Sequence, residues 1–178
     1  LASMLDMEAV NKFRKRALNP QRPVLRGTAQ NPDIFFQTRE ACNGCYDAIP
    51  EIVEGYMNEV NKKIGTNYNL FNYYGDPQAE NIIIAMGSVC ETIEETIDYL
   101  NKQGKKVGLI KVRLYRPFSI KHLLKVIPET TKYITVLDRT KEPGSIGEPL
   151  YLDVALAVKD TKFASVPMFS GRYGLGSK

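Results

Sequence analysis

The sequence is poor in the residues that most often carry chemistry. It has one histidine, His122, and three cysteines, Cys42, Cys45 and Cys90. With one imidazole there is one candidate histidine base, and no Ser/His/Asp set is assigned. His122 falls in a short helical stretch and reads as a surface or satisfied residue, not a base. An odd, low cysteine count excludes a disulfide framework and fits a reducing compartment. Charge of one sign is also scarce: 24 Lys and Arg stand against 20 Asp and Glu, a net +4. Such a small excess predicts no polyanion partner, nucleic acid included. The densest basic run, Lys12, Arg14, Lys15 and Arg16, is short and reads as a solvated helix face. No apolar run approaches the roughly 20 residues that cross a bilayer. No signal-peptide pattern opens the chain. The expectation is a cytoplasmic protein without a membrane partner. There is no internal repeat, no phosphate loop and no G-x-G-x-x-G.

What is present suits a compact domain with some extra arms. The chain has 178 residues, 43% hydrophobic and 25% charged, enough to bury a real core. Residues 6–18 have helical apolar spacing and end at Asn19-Pro20. Residues 19–33 hold three prolines and a glycine and read as an extended arm. A helix is expected from about Arg39 to Ile64, with Pro50 kinking or dividing it or marking the first turn of a second helix, and Gly65 stopping it. The aromatic stretch from Tyr68 to Tyr74 reads as a strand or extended edge.

From residue 80 the pattern becomes regular. Asn81 to Met86 (NIIIAM) is a continuous apolar run, as expected of a strand buried on both faces. Val89 to Lys102 reads as a helix, with Ser88 and Glu91 placed for a capping box. A strand over 106–115, a short helix over 119–126, a strand over 133–137 and a helix over 149–158 follow. Ala164 to Phe169 reads as a fourth strand, and Gly171 to Lys178 as a glycine-rich tail. This alternation predicts an α/β fold: a doubly wound, mostly parallel sheet flanked by helices. Residues 1–79 form a helical and extended lead-in packed on that core, which spans 80–178.

Three groupings invite a chemical reading. Cys42-Asn43-Gly44-Cys45 has C-x-x-C spacing, which at a helix start supports dithiol exchange. A thioredoxin-type motif follows a strand, however, and the residues before Cys42 look helical or irregular. Two small residues near a helix turn is the reading favoured. A zinc site would need four ligands, and only Cys90 and His122, on other elements, remain. The Gly87-Ser88 turn opens a helix N-terminus that could face an anion. It has one glycine, and Glu91 in the first turn would repel a phosphate. Finally, Arg113, Arg116, Asp138, Arg139, Lys141 and Glu142 fall at or after the C-terminal ends of two strands, the edge where open α/β sheets bind ligands. A charged rim docking against a neighbouring domain is favoured there over a ligand site. No catalytic, cofactor-binding or metal-binding constellation is assigned.

Several long strings resemble the pyruvate:ferredoxin (flavodoxin) oxidoreductase family. They are RGTAQNPDIFFQ (Arg26 to Gln37), REACNGCYDAIP (Arg39 to Pro50), IAMGSVCETIEE (Ile84 to Glu95), VGLIKVRLYRPFS (Val107 to Ser119), VLDRTKEPGSIGEPLYLD (Val136 to Asp153) and GRYGLGSK (Gly171 to Lys178). They are ordered and cover nearly the whole chain. They resemble the family's second domain, which is related to the C-terminal domain of transketolases.

The resemblance implies one domain excised from a larger multidomain enzyme, itself inactive. That enzyme oxidatively decarboxylates pyruvate with coenzyme A to acetyl-CoA and CO2, reducing ferredoxin or flavodoxin. The parent, by resemblance a homodimer, uses thiamine diphosphate, Mg2+ and [4Fe–4S] clusters held in other domains. Three cysteines cannot supply the four thiolates of a cubane cluster. The expected role is therefore structural and interdomain, with the six charged residues above as candidate surface. The alternatives are a free-standing anion- or nucleotide-binding α/β protein and a small dithiol protein.

Overall fold

The structure is a computed structural model, describing residues 1–25, 27 and 29–176. Arg26 and Thr28 of the expected extended arm, and Ser177 and Lys178 of the expected tail, lie outside the described residues. A 3-10 turn at Ala2–Met4 precedes α1 (Met7–Arg14), α2 (Pro32–Ala41) and α3 (Asn43–Ile64). Then come β1 (Phe71–Gly75), β2 (Asn81–Ala85), α4 (Val89–Lys102), β3 (Val107–Val112), α5 (Ile120–Val126), β4 (Tyr133–Asp138), α6 (Pro149–Val158) and β5 (Met168–Arg172).

The five strands form one sheet in the order β1-β3-β2-β4-β5. β2 pairs parallel with β3 and β4, and β4 with β5, while β1 runs antiparallel to β3 at the edge. Side chains of a strand alternate between faces, and β2 shows why both faces need helices. Ile82 and Ile84 join the core shared with Leu123 of α5 and Leu150 and Val154 of α6. Ala85 joins the second core, with Cys90, Ile93 and Ile97 of α4, and Ile83 packs against it. The α4 residues recur at helical spacing, as do Leu150, Val154, Ala157 and Val158 on α6. Each fully buried isoleucine or leucine contributes about 1.5–3 kcal/mol relative to exposure. The doubly wound, mostly parallel α/β architecture expected from the sequence is the one observed.

Several boundaries differ from expectation. The helix break falls at Cys42, and α3 runs through Pro50 without interruption. Proline there removes only its own N–H bond from an otherwise continuous ladder. At the break, the Cys42 thiol donates to the Arg39 carbonyl at 2.8 Å, and its own carbonyl accepts from Cys45 N and Tyr46 N. The proline-rich arm ends early because Pro32 sits at the first turn of α2, where its missing N–H costs nothing. The first helix closes at Arg14 in two tight turns, with none of its residues buried to hold a longer run.

The capping box is absent. Ser88 already has right-handed helical backbone (φ −64°, ψ −23°), and its side chain caps nothing; an N-cap serine needs extended backbone to reach the N–H two or three residues on. The last strand is Met168–Arg172, displaced from the expected 164–169. Successive turns at Thr161, Ala164 and Val166 occupy the preceding stretch, and Phe163 is buried there. The sheet also starts before residue 80, since β1 belongs to it.

Candidate functional site

In this topology the chain leaves β2 toward β3 on one side, and returns through α5 to β4 on the other. The carboxyl ends of β2 and β4 therefore border the crevice where open α/β sheets take ligands. A cleft of about 360 Å³ lies there, lined by Met86, Gly87, Ser88, Asp138, Arg139, Thr140, Pro149, Tyr115 and Tyr173. A larger hollow, about 630 Å³, lies beside Phe13, Arg14, Arg16 and Ala17. It borders an exposed helix without buried residues, so it is a gap next to an arm and no site.

The cleft is built by specific backbone features. Gly87, at φ +82°, turns the chain from β2 into α4. Tyr173 closes the far wall: its N–H donates to the Asp138 carbonyl at 3.1 Å and its hydroxyl to the Met86 carbonyl at 3.1 Å. Burial pushes that hydroxyl's pKa up, so it stays a neutral donor. Arg139 is exposed and borders the cleft, and makes no hydrogen bond or ion pair among the described residues. A Cβ at Gly174 would stand 3.0 Å from its Nε, so the glycine leaves it room.

The six charged residues singled out in the sequence have different partners. Asp138 is a correction: it is buried and faces inward. Its two carboxylate oxygens accept from Leu150 N at 3.0 Å and Tyr151 N at 3.1 Å, the first N–H groups of α6. A carboxylate at a helix N-terminus satisfies free donors and the dipole together. It offers nothing to a neighbour. Arg113 lies at the β1 edge, with its Nε donating to Asn72 Oδ1 at 2.7 Å and its guanidinium over the Tyr68 ring. Arg116 stacks 3.9 Å from the Tyr115 ring centroid and pairs with Asp153 of α6 at 2.7 Å. Burial and the neighbouring Asp153 carboxylate push the Tyr115 hydroxyl up to about 12. Lys141 and Glu142 lie in the loop before α6 and converge on a residue that sequence reasoning passed over.

That residue is Glu148, 1% exposed. Its carboxylate accepts from Arg172 Nε at 2.5 Å and Glu142 N at 2.8 Å, with Lys141 Nζ at 3.8 Å. No local motif marks a buried glutamate whose main partner lies 24 residues on. The Arg172 hydrogen bond, helped by the Glu142 N–H and the two cations, holds this carboxyl below its usual range. A depressed folded-state pKa gives stability that is full above the unfolded value and lost as pH falls through the folded one. Unfolding free energy should therefore decline as pH drops below about 4.5, the ordinary glutamate range. Glu148→Gln should flatten that decline, measured by urea titration at stepped pH. An unchanged acid limb in the variant would remove Glu148 from the account.

The cysteines do not converge. Cys42 and Cys45 flank the start of α3 with no strand before them among the described residues, while Cys90 is buried on α4, where desolvation pushes its thiol up. No helix among the described residues is long and apolar enough to cross a membrane.

Comparison with known proteins places this geometry. The family model for pyruvate:ferredoxin oxidoreductase core domain II matches residues 79–177, more than half of the chain. Across all 178 residues the chain is 59% identical to a pyruvate-flavodoxin oxidoreductase of Enterobacter agglomerans and 56% identical to a pyruvate:ferredoxin oxidoreductase of Moorella thermoacetica. It spans 15% of the length of each of these curated relatives. A 2-oxoglutarate:ferredoxin oxidoreductase from Magnetococcus marinus superposes at a TM-score of 0.40 and 18% identity, over 62% of this chain and 18% of that one, a likeness too slight to bear on the fold. The matched residues take in four of the five strands, β2 through β5, with α4, α5 and α6, and the chain belongs to the pyruvate:ferredoxin oxidoreductase core domain II family.

Proposed function

We propose that this chain is an interdomain module of an oxidoreductase that decarboxylates pyruvate with coenzyme A to acetyl-CoA and CO2, passing electrons to ferredoxin or flavodoxin. The observation that carries the reading is the state of the first three helices. No residue of α1, α2 or α3 is buried, although Phe13, Ile34, Phe35, Phe36, Ile52 and Tyr56 are all at least half exposed. Val53 and Met57 of α3 are partly buried against the core, but the side chains just named stay at least half exposed, and helices draw little from propensity alone and need a surface to pack on. The other domains of the same enzyme supply it. On this reading the helical residues before β1 are the docking lead-in, β1 joins residues 80–178 in the rigid core, and Arg113, Arg116, Arg139, Lys141 and Glu142 add a polar rim.

Thiamine diphosphate, Mg2+ and [4Fe–4S] clusters belong to other parts of that enzyme, a cytoplasmic homodimer on this reading. The residues here do not fit a cluster: it takes four thiolates, and the chain has three cysteines, two at the start of α3 and one buried on α4. No step of the reaction is assigned to this chain.

The test uses the full-length protein. Phe35→Asp with Phe36→Asp should break assembly on a sizing column and cut pyruvate-dependent viologen reduction by about tenfold or more, as removal of interface anchors does. Arg139→Ala should leave turnover within about threefold. If Arg139→Ala instead abolished turnover while assembly stayed intact, the free cation in the cleft would be binding an anionic substrate or cofactor, and the architectural reading would fall.

A further inference from the structure

A second group of side chains lies away from the cleft, between α3 and α5. Glu51 and Glu54 sit three residues apart on α3, and so share a helix face. His122 of α5 meets them, although it is about 70 positions away in sequence. One ligand atom from each lies within 4.8 Å of the others. The imidazole is 6% exposed. Its Nδ1 is 2.6 Å from Ser119 Oγ, while Nε2 is buried and makes no hydrogen bond. The nearest acceptor, Glu54 Oε1, stands 3.5 Å away, too far for a good hydrogen bond. A buried polar atom left without a partner is costly and calls for an explanation.

A metal ion accounts for the spacing. Tetrahedral zinc with bonds of about 2.0–2.1 Å sets its ligand atoms roughly 3.4 Å apart. The separation of His122 Nε2 and Glu54 Oε1 already matches that edge. The Ser119 contact is the kind that orients a metal-bound histidine: with Nδ1–H donating to the hydroxyl, the Nε2 lone pair faces Glu54. Glu51 is exposed and reaches the site by a side-chain rotation. That rotation gives up its pair with Lys121 at 2.8 Å, in which both partners are more than half exposed and which contributes little. Lys125 also flanks the site and opposes a cation. A cleft of about 360 Å³, with Glu54, His122 and Lys125 in its lining, opens the site to solvent.

We propose that Glu51, Glu54 and His122 bind a first-row divalent metal ion, with water in the remaining position. Two carboxylates and an imidazole suit zinc better than calcium or magnesium, which prefer oxygen ligands alone. The ion would add to the packing of Val53 and Met57 in holding α3, none of whose residues is fully buried, on the α/β core. This site does not depend on the oxidoreductase reading.

The experiment takes the full-length protein, strips it with a chelator, returns zinc and removes the excess by gel filtration. Wild type should retain about one more zinc per chain than the Glu51→Gln/Glu54→Gln double variant, and Glu54→Gln alone should weaken zinc binding by about tenfold or more. Both glutamates are solvent-accessible, so their replacement spares the core. His122→Asn should show the same zinc deficit. In zinc-soaked crystals of the wild type, an anomalous difference peak at the zinc edge is expected beside His122 Nε2. Equal zinc in wild type and variants, or a peak only at other residues, would overturn the proposal. If the variants failed to fold, the wild-type anomalous peak would decide alone.

Discussion

Replacing Asp138 with alanine is expected to lower the unfolding free energy by about 3 kcal/mol, seen as a fall in the urea midpoint at unchanged slope. The loss comes from the two hydrogen bonds to Leu150 N and Tyr151 N. Both are charge-assisted, and such bonds contribute about twice as much as neutral ones. Without the carboxylate, two N–H groups at the start of α6 face a buried site with no acceptor. Leu150 itself is fully buried, so water cannot easily replace the lost partner. Asp138→Asn keeps one acceptor oxygen and should lose about half as much. An alanine variant with the wild-type midpoint would show that α6 does not depend on this cap.

Gly75→Ala should be at least as damaging, by about 3–4 kcal/mol, combining the cost of a disallowed φ with overpacking. Gly75 ends the edge strand at φ +117°. A Cβ there would lie 2.6 Å from the Val107 carbonyl oxygen and 2.9 Å from Gly108 Cα. Both are backbone atoms of the partner strand, and neither can swing away. The pair Gly75 and Gly108 closes the β1–β3 register, so the clash should open the edge strand first. Gly104→Ala is the control. It also has positive φ, +78°, but nothing within 4 Å, and should cost only about 1–2 kcal/mol of backbone strain. Thermal melts of the two variants side by side separate steric contact from strain. Equal melting temperatures would mean that the close approach at Gly75 relaxes without cost.

The parts of the fold legible in the sequence are those in which a local pattern reports burial directly. The runs over Asn81–Ala85 and Val107–Val112 are apolar at successive positions because helices cover both sides of those strands. Pro149 at the first turn of α6 and Gly65 at the end of α3, with φ +70°, mark element ends through their own backbone limits. Where the signal was ambiguous, it misled. Pro32 and Pro50 both read as breakers, yet one begins a helix and the other is absorbed within one. The serine before α4 had the right neighbours for a capping box and the wrong backbone to make it.

The charged rim shows the limit for sites. Sequence placed six ionisable residues at the strand ends, and the structure gives them different partners. Asp138 turns inward to α6, Arg113 goes to the β1 edge, Arg116 stacks on Tyr115, and Lys141 and Glu142 gather around Glu148. Arg139 alone of the six both borders the cleft and keeps its charge free of any partner among the described residues.

The sequence by itself determined the alternation of strands and helices, the direction of the central strands and the kinship of the chain. These follow from periodicity, turn residues and long matching strings, all properties of neighbours along the chain. Tertiary structure alone decided which carboxylates are buried, that Arg139 borders the cleft, and that His122 meets Glu51 and Glu54. Those outcomes depend on how distant segments pack, and a side chain's partners and solvation are set by that packing rather than by its place in the sequence.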